Sequence, residues 1–394
     1  MTEKPKVRKI TTASAVVISV ITLILGFSIG LFWSNHGNSF LPYLGFKASA
    51  SSDWSELNEV YEALSSKYDG EVDFKTALEG AKKGIAASVG DVYTVYMSSS
   101  EATDFNKSLH GDVGSGIGVV LAKRDGYIRI VRTLPDNPAS KAGVLAGDII
   151  YKIDDENVTS LDSDEIATKL RGADGTKVKL TVVRDGEEKS FELTREPINN
   201  VSAYIEYQDK TAIIHVTRFD TDTGSLVRGF TKDFKNKGIN KVILDLRDNG
   251  GGYVSAAKDL LSLWVDSKAI LLQKSSKLTD ETTYSAHGQA DLADMKTVVL
   301  VNGSTASASE IVAGALQDYK KATILGEQTY GKGVVQSLVN LSNNTLLKVT
   351  TAHWYTPGGT SINGTGITPD QVVERTYEDI NKNKDPQLDA ALKL

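Results

Sequence analysis

Cysteine is absent from the 394 residues. That excludes a disulfide framework, a thiolate nucleophile and a cysteine-based zinc site. Histidine is scarce, being confined to His36, His110, His215, His287 and His353. None of these sits in a recognisable catalytic motif, so a Ser-His-Asp triad lacks support. An excess of positive charge is missing as well. The formal net charge is −6, which disfavours general nucleic-acid binding. There is no internal repeat and no low-complexity run. What is present is an ordinary globular composition, 40% hydrophobic and 24% charged, in a chain long enough for about two or three domains.

The N-terminus departs from that average. Lys4, Lys6, Arg8 and Lys9 precede an uncharged, mostly apolar run from Thr11 to Trp33. A helix of this length spans roughly 30 Å of hydrocarbon at about 1.5 Å per residue. The expectation is a basic cytoplasmic tail over 1–10, a single transmembrane helix over 11–33, and a body on the far side of a bacterial cell membrane. A cleaved signal peptide competes with this reading. Ala48-Ser49-Ala50 resembles a cleavage site, but it lies well beyond an apolar run that is long for a signal sequence.

Composition then divides the rest. Residues 34–52 are small and polar and read as a linker. Residues 53–112 open on a helical pattern, with Leu57, Val60, Tyr61 and Leu64 at helical spacing. This region is a candidate dimerisation arm, so a homodimer is one expected assembly. Residues 113–197 hold short strand-like runs separated by glycine and aspartate turns, including the hairpin signal Asp185-Gly186. From 198 to 394, Val/Ile/Leu-rich strands alternate with helical patterns, which indicates an α/β domain.

In the middle unit, Gly114-Ser115-Gly116-Ile117-Gly118-Val119 is followed by a strand and not a helix. A phosphate loop therefore does not fit. Glycines leading into an edge strand can expose backbone N–H groups to a carboxylate, which suits capture of a peptide C-terminus. Gly116, Ile117, Gly118 and Val119 are the candidate peptide-binding residues. Pro138-Ala139-Ser140-Lys141-Ala142-Gly143-Val144-Leu145-Ala146-Gly147-Asp148-Ile149-Ile150 closely resembles the PDZ pattern.

In the last unit, Gly303-Ser304-Thr305-Ala306-Ser307-Ala308-Ser309-Glu310 joins a strand to a helix. Such a turn can present a serine where free backbone N–H groups favour a developing oxyanion. It can equally be a serine-rich helix cap. A serine nucleophile needs a base. Lysine serves if burial lowers its pKa, and Lys332 lies between Gly331 and Gly333 in an otherwise apolar stretch. Gln336, four residues on, could orient the amine.

The segments Thr305-Ala306-Ser307-Ala308-Ser309-Glu310-Ile311, Gly326-Glu327-Gln328-Thr329-Tyr330-Gly331-Lys332-Gly333-Val334-Val335-Gln336 and Leu244-Asp245-Leu246-Arg247-Asp248-Asn249-Gly250-Gly251-Gly252 together resemble the carboxyl-terminal processing, or tail-specific, proteases. Order and spacing agree from about Trp54 onward. One departure is Val92, where the family usually has proline ahead of Tyr93-Thr94.

The resemblance implies a crotonase-like protease core with an inserted or preceding PDZ domain. It implies Ser307 as nucleophile, Lys332 as general base and Gln336 as the residue positioning it. Ser309 is the near rival for nucleophile. The oxyanion hole would use Ala308 N–H with one from Gly250 or Gly251, and Arg171 would be a relay from the PDZ unit. Asp245 and Arg247 read as a structural ion pair. Neither metal nor other cofactor is called for, and the partners are polypeptides with free C-terminal tails. The alternatives are a non-catalytic membrane-anchored PDZ adaptor, and a non-peptide hydrolase on the same core.

Overall fold

The computed structural model describes residues 54–394 except 125, 276–280 and 383. The chain divides into two compact units, one ending at Gly80 and one spanning Ala81–Leu394. In the first, α1 (Ser55–Lys67) buries none of its residues, and Leu57, Val60 and Leu64 stay exposed. Tyr61 meets Phe74 edge to face, with ring centroids 5.2 Å apart. The helix α2 (Phe74–Ala87) begins there.

One part of the expected fold class is corrected. Among the described residues, no helix is long and apolar enough to cross a membrane. The longest, α2, has 14 residues, which at about 1.5 Å each falls short of a hydrocarbon core of roughly 30 Å. The fold is mixed α/β and multidomain, and no membrane-spanning helix forms part of it as described. The expected basic tail (1–10), transmembrane helix (11–33) and linker (34–52) lie outside the described residues.

The second unit opens with β1 (Val95–Met97) and α3 (Ser99–Leu109). Then come β2 (Ser115–Gly116), β3 (Val119–Arg124), β4 (Tyr127–Thr133), α4 (Pro138–Lys141), β5 (Ile149–Ile153), β6 (Glu156–Asn157), α5 (Ser163–Leu170), β7 (Lys177–Arg184), β8 (Glu187–Thr194) and β9 (Glu196–Pro197). Their sheet runs β3-β4-β5-β7-β8, with β6 on β5 and a separate β2–β9 pair. Asp185 and Gly186 both have positive φ, 54° and 81°. This is what a tight two-residue hairpin between β7 and β8 requires. Asp162 caps α5 by accepting the Asp164 and Glu165 N–H groups, each at 2.9 Å. Ile117, Ile130, Ile150, Ile166, Leu180 and Val182 fill the core between sheet and helices. Asp148, buried, pairs with Arg184 at 2.6 and 2.7 Å. β3 is left as an open edge, facing α5.

The remainder comprises β10 (Ala203–Gln208), β11 (Thr211–Val216), α6 (Thr223–Thr231), α7 (Phe234–Lys237), β12 (Lys241–Asp245), α8 (Val254–Leu261), β13 (Ala269–Lys274), β14 (Thr282–Ser285), β15 (Lys296–Val301), α9 (Ala308–Asp318), β16 (Thr323–Gly326), β17 (Val334–Asn340), β18 (Leu346–Tyr355), β19 (Gln371–Val372), α10 (Tyr377–Asn381) and α11 (Pro386–Lys393). One sheet has the order β10-β11-β12-β15-β16-β19, parallel from β11 onward. Its central strands read as continuous apolar runs because both faces are covered; β12 is buried at every position. A second sheet, β1-β18-β13-β14 with β17 on β18, stands beside it. Thus β1, from within the region read as helical, pairs with β18. Trp264 and Trp354 are among the largest fully buried side chains.

Candidate active site

Parallel strands end at one edge of their sheet, and loops gather there. The loop after β15 makes an abrupt turn into α9. Ser307 sits on it with φ 55° and ψ −116°, a strained conformation for a residue with a side chain. The turn is held from below. Ala306 N–H donates to Asn249 O at 3.0 Å, and Thr305 Oγ1 donates to Leu246 O at 2.9 Å. Ser309 is fully buried and donates its hydroxyl to Asn249 O at 2.9 Å. Ser307, half-buried, faces a cavity. Of the two rival serines, only Ser307 is open to a ligand.

The Glu310 side chain is the pivot of this arrangement. It is fully buried in the first turn of α9. Its Oε2 accepts Ser307 N–H at 2.8 Å and Lys332 N–H at 2.9 Å. Its Oε1 accepts Thr329 Oγ1–H at 2.6 Å and Gly331 N–H at 2.7 Å. One carboxylate therefore ties the serine turn to the loop carrying Lys332. The pairing of Ser307 with Glu310 three residues on was visible in the sequence, but only as a helix-capping pattern. Its reach to Gly331 and Lys332 was not.

Lys332 is half-buried at the mouth of β17. Its carbonyl accepts Trp354 Nε1–H at 3.0 Å. Gly331, at φ 89°, packs so closely on the Gly364–Gly366 backbone that a Cβ would lie 2.9 Å from two of its nitrogens. Burial lowers the Lys332 pKa from its ordinary value, and the Lys348 charge lowers it further, against the opposing pull of Glu310 and Asp91. The amine stands 5.3 Å from the centre of the Tyr93 ring, a cation–π distance. No hydrogen bond joins it to Ser307 in this arrangement.

The Gln336 amide makes no hydrogen bond to Lys332 in this arrangement. Beside a bulge at Thr351 of β18, which breaks the register between Val335 and Gln336, its Nε2 donates to Tyr93 O at 2.6 Å. It holds the tyrosine whose ring faces the lysine.

Two backbone N–H groups beside Ser307 are candidates for an oxyanion site. Ala308 is the first residue of α9, where N–H groups have no intrahelical partner. The Gly250 N–H likewise has none among the described residues, whereas Gly251 N–H is already given to Asn249 Oδ1 at 2.9 Å. Gly251 has a different task. At φ 102°, a Cβ there would come 2.8 Å from Ser307 Cβ.

A cavity of about 710 Å³ brings together Ser307, Lys332, Gln336, Gly250, Gly251, Gly116, Ile117, Gly118, Val119 and Arg171. Ala308 lies buried beneath it. No histidine lines it. Asp245 and Arg247 stay outside it and form a structural pair at 2.7 Å, with Arg247 also bonded to Asp385 at 2.8 Å. Burial opposes ionisation of Asp245, yet Arg247 and His215 hold its carboxyl far below the usual range. No cluster of metal-binding side chains occurs among the described residues.

A serine on a strained turn and a half-buried lysine share this cavity with the glycine loop and edge strand of the middle unit, the arrangement of a serine peptidase with an attached PDZ unit. Residues 210–373 match peptidase family S41, 115–194 match the PDZ domain, and 43–101 match the N-terminal domain of the activating protease CtpB. A carboxy-terminal-processing protease of Bartonella bacilliformis is 35% identical over 85% of this chain and 78% of its own length. A "Probable CtpA-like serine protease" of Staphylococcus aureus is 32% identical over 86% of this chain and 68% of its own. Among solved structures, a photosystem II D1 C-terminal processing protease superposes with a TM-score of 0.58 at 26% identity, covering 82% of this chain and 87% of that one. The chain belongs to the carboxy-terminal processing proteases of peptidase family S41.

Proposed function

We propose that this protease cleaves polypeptides with Ser307 as nucleophile and Lys332 as general base. The observation that carries this reading is the shared cavity, in which a half-buried lysine and a serine on a strained turn adjoin the open edge of β3. A tail enters with its terminal carboxylate on the N–H groups of the Gly116–Val119 loop and adds to β3 as a strand. The chain then passes Ser307. Neutral Lys332 takes the Ser307 proton as the oxygen attacks the scissile carbonyl. The N–H groups of Ala308 and Gly250 receive the oxyanion. Lysine returns the proton to the departing amine, and water, deprotonated by the same lysine, releases the acyl group.

For that transfer the Lys332 amine must come within hydrogen-bond reach of the Ser307 hydroxyl. Gln336 positions the base through Tyr93. Arg171, at the end of α5 and on the cavity wall, is suited to sense a bound tail. The test is digestion of an unfolded reporter by the full chain, by Ser307→Ala and by Lys332→Ala, with and without an apolar tail on the reporter. Cleavage by the parent alone, dependent on the tail, is expected. Binding of tails by all three without cleavage by any, each being folded, would establish the adaptor reading instead.

A further inference from the structure

The cavity wall has an uneven charge. Arg132, Arg171, Arg218, Lys332 and Lys348 line it, and no aspartate or glutamate does. Two of these cations are accounted for. Arg218 is paired with Asp220 at 3.2 Å and donates to Asn200 O, and Lys332 is the proposed base.

Arg132 is different. It lies on β4, directly opposite Val120 of the edge strand β3, and both residues line the cavity. Among the described residues its Nε is buried without a hydrogen-bond partner, and no carboxylate bonds its guanidinium. A buried guanidinium nitrogen left unsatisfied is costly and calls for a partner. The charge of Arg132 is felt by the Tyr204 phenol, but burial pushes that group up to about 12, so it supplies no anion at neutral pH.

We propose that Arg132 selects polypeptide tails carrying an aspartate or glutamate side chain close to their C-terminus. The inference rests on the tail-binding reading above and adds a substrate class to it. Its geometry follows from strand addition. The terminal carboxylate occupies the loop at Gly116–Gly118, and the added strand runs along β3 at about 3.4 Å per residue. Arg132, opposite Val120, therefore reaches side chains within roughly four residues of the terminus. A carboxylate placed there completes the fork of the guanidinium. Lys348, on the same cavity wall with its ammonium 5.6 Å from the Phe105 ring centre, adds to the same field.

A carboxylate could also come from the chain terminus itself, and the test separates the two sources. Short labelled peptides share one apolar tail with Glu, Gln or Lys at each of the positions near the end, each with a free or amidated terminus. Binding to the full-length Ser307→Ala protein is followed by anisotropy, and kcat/KM for the same tails on an unfolded reporter by the parent. A Glu tail is expected to bind about tenfold better than its Gln counterpart, as one partly exposed charge-assisted bond gives. A Lys tail should bind worse than Gln, and the Glu advantage should shrink in high salt. Arg132→Gln should abolish the Glu-to-Gln ratio while amidation still weakens both peptides.

Equal binding of Glu and Gln tails by the parent, or an undiminished ratio in Arg132→Gln, overturns the proposal. So does an Arg132→Gln effect that disappears when the terminus is amidated, since Arg132 would then hold the terminal carboxylate. Salt dependence in the parent keeps the test decisive if the variant misfolds. Absence of cleavage with every tail would strike the protease reading, while the binding arm would still decide the role of Arg132.

Discussion

Replacing Glu310 by glutamine removes a charge and keeps the shape, and its cost can be worked from the bonds. The carboxylate accepts four donors: Ser307 N–H, Lys332 N–H, Gly331 N–H and the Thr329 hydroxyl. A glutamine offers one acceptor oxygen and one amide nitrogen, which can only donate. If the nitrogen takes the Oε2 position, the Ser307 and Lys332 N–H groups both lose their acceptor. In the Oε1 position it orphans Gly331 N–H and opposes the Thr329 hydroxyl, whose oxygen already accepts Ile367 N–H at 2.6 Å. The second orientation is cheaper, and it still leaves one buried donor unsatisfied and converts two charge-assisted bonds to neutral ones. Together these cost about 2–4 kcal/mol. A cost near the middle of that range corresponds to roughly a hundredfold loss in the organised site. Glu310→Gln should therefore lose about two orders of magnitude in kcat/KM, with faster hydrogen exchange at Gly331 and Lys332. Activity within twofold of the parent, with unchanged exchange at those amides, would refute the idea that this carboxylate organises both loops.

Three further outcomes follow from the same geometry. Activity should rise with pH as Lys332 deprotonates, and Lys348→Ala should move that rise to higher pH by removing a neighbouring cation that favours the neutral amine; an unmoved profile would exclude the coupling. Tyr93→Leu removes the ring that favours the protonated amine and should move the same limb to lower pH, while Tyr93→Phe leaves it in place. Burial opposes the charge of His215, but Asp245 and Glu206 prevail and raise its pKa to about 9. The stability this adds is complete below the unfolded-state value near 6.5 and is lost as pH rises through about 9. The urea midpoint of the parent should accordingly fall over that interval more steeply than that of His215→Gln.

Much of the candidate site was legible because its residues are local in the chain. Ser307 with Ala308, the Gly331-Lys332-Gly333 triplet and Asn249-Gly250-Gly251 each carry their signal within a few neighbours. The parallel strands were readable as well, since burial on both faces leaves continuous Val/Ile/Leu runs such as Val298–Val301. The second sheet was not. In β17 and β18, Gln336-Ser337, Lys348 and Thr350-Thr351 interrupt the apolar residues with no regular period, and the pairing of β18 with β1 bridges more than half the chain. Which of Gly250 and Gly251 keeps its N–H free of an acceptor depended on where an Asn249 side chain points, and the bond from Gln336 to Tyr93 lies beside a bulge. Tyr93 drew notice only for the residue before it. Arg132 drew none, because a lone arginine in a strand carries no pattern; only its want of a partner sets it apart.

The chain crosses between the peptide-binding unit and the core twice. It has already contributed β1 and α3 to the core before entering at β2, and it returns through β9 to β10. The outgoing and returning segments are bonded to each other, Ser115 opposite Pro197 and Gly116 opposite Glu196, with Ile198 N–H on Gly114 O at 3.1 Å. A unit held by a double-stranded stalk cannot swing freely as one on a single tether would. Its softest motion is a bend across that stalk, beside the glycines that begin the groove. The residues proposed to receive a tail are thus adjacent to the pivot, so pressure there would act on a short lever, and small displacements of the loop would become large ones at the distant rim of the unit. A nick in either segment alone would leave the unit attached by the other and turn a hinge with one axis into a loose joint.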